Sequence, residues 1–191
     1  MPHMDCIDCD GKACKDVDLD STPAACPRRE AEAALAEADR IRTTDAEVKT
    51  YAERGKAVET QGYGQWPRVQ ELVEFAGRMD MRHIGIAFCV GLREESASLA
   101  DVLRAHGFEL TSVACTVNGG CNPVGQALVL NQAGTDLNVV MGLCMGDDIL
   151  FNKYAQAPTT TLVVKDRVTC HNPCGPLMNR YWRRKLHPEP R

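Results

Sequence analysis

Ten cysteines dominate the chemistry open to this 191-residue chain. Four crowd the amino terminus. "CIDCDGKACKD" carries Cys6, Cys9 and Cys14, and "AACPRRE" adds Cys26. Such a spacing, one close pair and then two separate thiols, is a metal-ligand pattern. Structural zinc more often uses two close pairs. A cysteine followed by proline, as at Cys26-Pro27, is common among iron–sulfur proteins. Cys6, Cys9, Cys14 and Cys26 are therefore expected to hold a metal, with an iron–sulfur cluster of [4Fe–4S] type favoured over zinc.

The other six cysteines fall differently. Cys89 ends a predicted strand. Cys115 ends the next, and Cys121 lies in the loop behind it. Cys144 ends a third, and Cys170, His171 and Cys174 follow a fourth. In a parallel sheet all strands point one way, so these residues should meet at the carboxyl edge, where open α/β sheets bind ligands. Helix N-termini gather at the same edge, and their free N–H groups stabilise thiolates. Gly91, Gly119, Gly120, Gly142, Gly146 and Gly175 flank these positions and let backbone approach a cluster closely. A single free cysteine often serves only as a small buried hydrophobe. That four successive strand ends carry a cysteine makes a second cluster at Cys89, Cys115, Cys121 and Cys144 the sharper reading. Cys170, His171 and Cys174 are weaker candidates. Asp147, Asp148, Lys153, Lys165, Asp166 and His171 are the polar groups available for acid–base work, although Asp147, Asp148 and Asp166 could equally cap helices or turns. His83 and His106 read as structural or solvated.

The elements that must position these residues follow from hydrophobic period. Residues 27–60 predict two helices, the first opened by Pro27 and the second by a capping box of Thr44 and Glu47. "QGYGQWP" predicts a break, and Pro67 starts a helix with Val69, Leu72, Val73, Ala76 and Met79 on one face. Strands are then predicted at "HIGIAFCV", "FELTSVAC", "DLNVVMGLC" and "TTLVVKD", with helices between them. The helix after the first strand places Leu99, Val102, Leu103 and His106 at helical spacing and stops at Gly107. Asn122-Pro123 caps and opens another helix, and Asn172-Pro173 predicts a last one. The fold class is thus α/β, a Rossmann-like parallel sheet of about four strands with crossover helices, behind an N-terminal four-cysteine metal motif and helices. Three segments are expected: the metal motif at 1–30, helices at 31–81, and the α/β domain at 82–191.

Composition narrows the function classes. The formal charge is -4 and no long basic stretch occurs, which argues against a nucleic-acid partner. The run Arg180, Arg183, Arg184 and Lys185 reads as a solvated helix end. No apolar stretch reaches the ~20 residues of a membrane span. "MPHMDCIDCD" lacks the pattern of a secretory leader, so a cytoplasmic setting with reduced thiols is expected. No G-x-G-x-x-G follows the first strand, so the nucleotide-binding fingerprint is missing.

Two resemblances bear on these residues. The spacing from Cys6 to Cys26 resembles the amino-terminal [4Fe–4S] motif of nickel-type carbon monoxide dehydrogenases. It is local to that stretch and implies no carbon monoxide chemistry. Nearly the whole chain resembles domain-of-unknown-function family 1847, described as cysteine-rich and metal-binding. "CIDC", "AACPRRE", "FCVGL", "HNP" and the block from "CNPVGQALVLNQAG" to "TTTLVVKDRV" carry that likeness. The family pattern has a histidine where this chain has Asp147, a glycine at Cys170, and no cysteine at Cys174. The resemblance implies metal binding on an α/β fold and names no reaction. Two functions follow. One is an iron–sulfur protein with two cysteine-ligated centres that transfers electrons to a redox partner protein or does small-molecule redox chemistry. The other is a zinc-binding or soft-metal sensing module without catalysis.

Overall fold

The computed structural model describes residues 6, 7, 9, 14, 22–24 and 26–187. It divides into two compact units, Met1–Lys56 and Ala57–Arg191.

The first unit holds α1 (Pro27–Glu30), α2 (Glu32–Thr44) and the beginning of α3 (Ala46–Gly62). Pro27 occupies the first turn of α1, as its fixed φ favours. Arg29 donates from Nε to the Thr22 hydroxyl at 2.8 Å and from Nη2 to the Thr22 carbonyl at 3.1 Å. The predicted cap at Thr44 is displaced by one residue. Thr44 ends α2, and its hydroxyl donates back to the Arg40 carbonyl at 2.8 Å. That leaves Asp45 to open α3, where its Oδ1 accepts from the Val48 N–H at 3.1 Å. Local back-bonding by threonine competes with forward capping, and here it wins.

In the second unit α4 (Arg68–Arg78) buries Leu72, Val73 and Ala76. The sheet then forms from β1 (His83–Phe88), β2 (Glu109–Ala114), β3 (Leu137–Met141) and β4 (Thr159–Val163), in the order β2-β1-β3-β4 and parallel throughout. Four parallel strands joined through helices are the Rossmann-like arrangement expected. Every residue of β3 is buried, as are the four inner residues of β1, whereas the edge strands β2 and β4 are partly exposed. Hence the central strands read as unbroken apolar runs.

A short 3-10 turn, Val90–Leu92, leads into α5 (Arg93–Ala105). Leu99 and Leu103 face the core, while Val102 and His106 are exposed. His106 is held instead by its own helix, Nδ1 to the Val102 carbonyl at 2.9 Å, and His83 pairs with the Thr111 hydroxyl at 2.8 Å. Both histidines are structural. α6 (Pro123–Ala133) begins at Asn122, whose side chain accepts from the Gly125 N–H at 2.8 Å. α7 (Met145–Tyr154) packs beside it and buries Phe151.

The end of the chain departs from expectation. Asn172-Pro173 opens no helix. Cys170 and His171 have φ of 53° and 62°, and a turn from Asn172 to Gly175 follows. That turn takes the place of the first helical turn there. The helices are α8 (Gly175–Met178) and α9 (Arg180–Leu186), the latter capped by Asn179, whose side chain accepts from the Tyr181 and Trp182 N–H groups. Among the described residues no helix is long and apolar enough to cross a membrane.

One carboxylate ties the base of the sheet together. Asp136, just before β3, accepts through Oδ2 from the Arg82 N–H at 2.7 Å and the His83 N–H at 2.9 Å. The His83 and Arg82 N–H groups hold its carboxyl below the ordinary value. A depressed carboxyl stabilises the fold above its unfolded value of about 3.9, and that contribution is lost as pH falls through the lower folded value. Because the side chain is exposed, solvent reduces the effect. Asp136→Ala should cost roughly 0.5–1.5 kcal/mol at neutral pH. The difference from the parent should shrink as both are unfolded in denaturant at pH values descending below about 4.

Candidate metal centre at the carboxyl edge of the sheet

Cys89 and Cys115 are neighbours because of strand register. β1 and β2 pair Ala87 with Val113 and Phe88 with Ala114. The Cys115 N–H continues that ladder to the Phe88 carbonyl at 2.8 Å. One step further, Cys89 and Cys115 stand side by side. Side chains alternate along a strand, so both thiols share the face of Ala87 and Val113. That face packs with Val140, with Ala127 and Leu130 of α6, and with Phe151 of α7. Both cysteines are buried, and each acts on the ionisation of the other.

Cys121 reaches the same place by loop closure. Thr116 to Cys121 leave β2 and return, and the Asn122 N–H donates to the Cys115 carbonyl at 2.8 Å. Gly119 and Gly120, with φ of 76° and 148°, make that reversal possible. Cys121 is exposed and close enough for its charge to act on Cys115.

Cys144 arrives from β3. It is the residue at which α7 begins, with extended backbone before the first turn. Gly142 turns the chain toward it at φ 68°, and a Cβ there would lie 1.9 Å from the buried Leu92 Cδ1. The order β2-β1-β3-β4 makes the chain leave β1 to one side and return to the other. Successive connections diverge between the ends of β1 and β3, the switch point at which open α/β sheets bind ligands. Cys89 and Cys144 flank it.

Two basic side chains from the segment behind β4 meet these thiols. Lys165 Nζ donates to Cys89 Sγ, and Arg167 Nη2 donates to Cys144 Sγ at 3.4 Å. β4 shifts register against β3 between Val140 and Met141, just upstream of this segment. Bulges of this kind re-aim the chain beside functional sites. Burial pushes the Cys89 thiol up. The hydrogen bond from Lys165, the Gly91 N–H, the Lys165 charge and the bond to Cys115 outweigh it, leaving Cys89 below the ordinary thiol value. Cys115 is pushed up by burial and by the charges of Cys89 and Cys121, against a bond from the Val90 N–H. Arg167 is held above its ordinary value, first by the bond to Cys144 and then by its charge, with Cys89 and Cys121 adding to it.

The remaining candidates stand apart. Asp166, between the two cations, turns to its own loop, where Oδ1 accepts from the Val168 and Thr169 N–H groups. His171 Nδ1 accepts from the Asp166 N–H at 3.1 Å, which places the proton of a neutral ring on Nε2. Neither nitrogen then offers a free lone pair. Cys170 and Cys174 are exposed. Asp148, in the first turn of α7, is raised by burial against a bond from Asn152. Lys153 lies at the far end of that helix, over the Tyr154 ring. At the amino terminus Cys6 and Cys9 are joined by a turn, the Cys9 N–H to the Cys6 carbonyl at 3.3 Å, and Cys26 is buried at the start of α1. Most of the residues linking these cysteines lie outside the described ones.

Among the described residues no three His, Cys, Asp or Glu side chains stand in the arrangement of a bound metal ion. In donor chemistry the edge does suit a soft, thiolate-ligated group. It has four thiols, two of them buried, with two cations to offset negative charge. Arg167 was not legible as part of it. The available signal was Lys165-x-Arg167, two basic residues close together just past the fourth strand, at the thiol-bearing edge. Gln126 was also missed. Fully buried, it donates through Nε2 to the Val113 carbonyl at 2.7 Å and the Phe88 carbonyl at 3.2 Å, holding β1 and β2 together where the cysteines emerge.

Comparison with known sequences covers this edge. The model of a family described as proteins of unknown function, DUF1847, matches residues 26–120 and 116–162. A curated relative, an uncharacterized protein of Methanocaldococcus jannaschii, is 44% identical over 159 residues, covering 74% of this chain and 79% of the relative. No solved structure matches the chain.

Gly142→Ala should destabilise the protein by roughly 2–4 kcal/mol, combining left-handed strain with the clash against Leu92. Gly146→Ala, in open space within the first turn of α7, should be neutral or stabilising by up to about 1 kcal/mol. Denaturant midpoints of the two variants check both.

Proposed function

The chain belongs to the DUF1847 family, and we propose that it binds an iron–sulfur cluster at the carboxyl edge of its sheet through Cys89, Cys115, Cys121 and Cys144. A second centre sits at Cys6, Cys9, Cys14 and Cys26, of [4Fe–4S] type, and relays electrons. The protein passes electrons to a redox partner protein or to a small molecule, in the reducing cytoplasm. One observation carries this reading: Cys89 and Cys115 stand side by side beyond β1 and β2, Cys144 opens α7 behind β3, and cations contact Cys89 and Cys144. All ten cysteines are free, which suits a reducing compartment.

An iron–sulfur cluster, when bound, supplies one-electron chemistry. The chain's own residues do the rest. β1 and β2 hold Cys89 and Cys115 in register, and Gln126 clamps the strand ends. The loop of Gly119 and Gly120 carries Cys121 and can adjust to a ligand. Asp148, in the turn that follows Cys144, is held above the ordinary carboxylate value by burial.

Anaerobically prepared protein should be brown, with absorbance near about 400 nm that dithionite bleaches and with matching iron and acid-labile sulfide. Replacing Cys9 and Cys14 by serine should remove one centre and leave the other spectrum. Replacing Cys89 and Cys144 should do the reverse. Colourless protein with stoichiometric zinc would reject this reading in favour of a soft-metal handling module.

A further inference from the structure

The cluster reading leaves Lys165 and Arg167 without a role, yet their placement is specific. Both come from the segment that follows β4 and lie two residues apart. Lys165 contacts Cys89, from β1, and Arg167 contacts Cys144, from β3. They therefore bridge the two strand ends that flank the switch point. The acid between them is turned away, since Asp166 Oδ1 is engaged by the Val168 and Thr169 N–H groups. Two cations thus contact the thiols, while the carboxylate between them in the chain hydrogen-bonds to its own loop.

We propose that Lys165 and Arg167 set the reduction potential of the sheet-edge centre by supplying fixed positive charge to two of its ligand sulfurs. This inference rests on the cluster reading above. Thiolate-ligated clusters carry net negative charge, and reduction adds one electron more. Charge on and hydrogen bonds to the ligand sulfurs are among the levers that set the potential. A cation in contact with a sulfur favours the more negative state, so the reduced form gains most. Lys165 is half-buried and acts through the buried Cys89, so water and salt screen it weakly. Arg167 is exposed, and its influence should be smaller and salt-dependent. The two residues touch ligands and no substrate; they are positioning residues for charge.

The test uses full-length Cys9→Ser/Cys14→Ser protein, loaded anaerobically, in which only the sheet-edge centre remains. Its midpoint is followed by electron paramagnetic resonance during a dye-mediated titration. Lys165→Met should lower the equilibrium constant for reduction roughly tenfold or more, a shift of about 59 mV per decade to more negative potential. Arg167→Met should shift it the same way by less, and added salt should erase that difference. Lys165→Arg and Arg167→Lys should titrate with the parent. If Lys165→Met fails to take up iron, recovery of both iron and midpoint by Lys165→Arg supports the proposal, and failure of Lys165→Arg overturns it. Unchanged midpoints in fully loaded Lys165→Met and Arg167→Met proteins overturn the inference and leave the cluster reading standing. Parent protein without iron and sulfide at this edge overturns the cluster reading and the inference with it.

Discussion

The parallel register of β1 with its two neighbours is the constraint on which the rest depends. Ala87 stands level with Val113 on one side and Val140 on the other, and all three face the same core as α6 and α7. A slip of one residue would turn each of those side chains to the opposite face. The same slip would separate Cys89 from Cys115. The packing that stabilises the sheet is thus the packing that sets the two thiols together. Asp136 at one end of the strands and Gln126 at the other hold that register through hydrogen bonds to backbone.

From that register the other groups are added by progressively looser means. Cys121 is returned by a loop closed on the Cys115 carbonyl. Cys144 is aimed by a left-handed turn at Gly142 that only glycine fits. Lys165 and Arg167 come last in the sheet, beyond an irregular pairing of β4. The buried members, Cys89 and Cys115, are fixed by the core. The exposed members, Cys121 and Arg167, are carried on loops.

Local chemistry explains where sequence and structure agree. Asn122 caps α6 because its short side chain reaches the N–H of Gly125, and Gly107 follows α5 because the chain turns left-handed there. Those relations stay within a single turn of the chain. The departures are also local, but they involve competition. Thr44 could cap forward or bond back to Arg40, and it bonds back. Asn172-Pro173 had the composition of a helix start, yet the two left-handed residues before it and the turn after it delay the capped helix to Asn179. Composition names the candidates in such contests and does not rank them.

The sequence by itself determined that four strands would alternate with helices and that cysteines would stand at three successive strand ends. Period and spacing are properties of the chain alone, and a parallel sheet then requires those ends to share an edge. The tertiary structure decided which groups meet there. That Cys89 lies against Cys115 depends on a register between strands separated by the whole of α5. That Lys165 meets Cys89 depends on β4 lying beyond β3, 76 residues along the chain. Contacts of that range are set by how whole elements pack, and a local pattern carries no record of them.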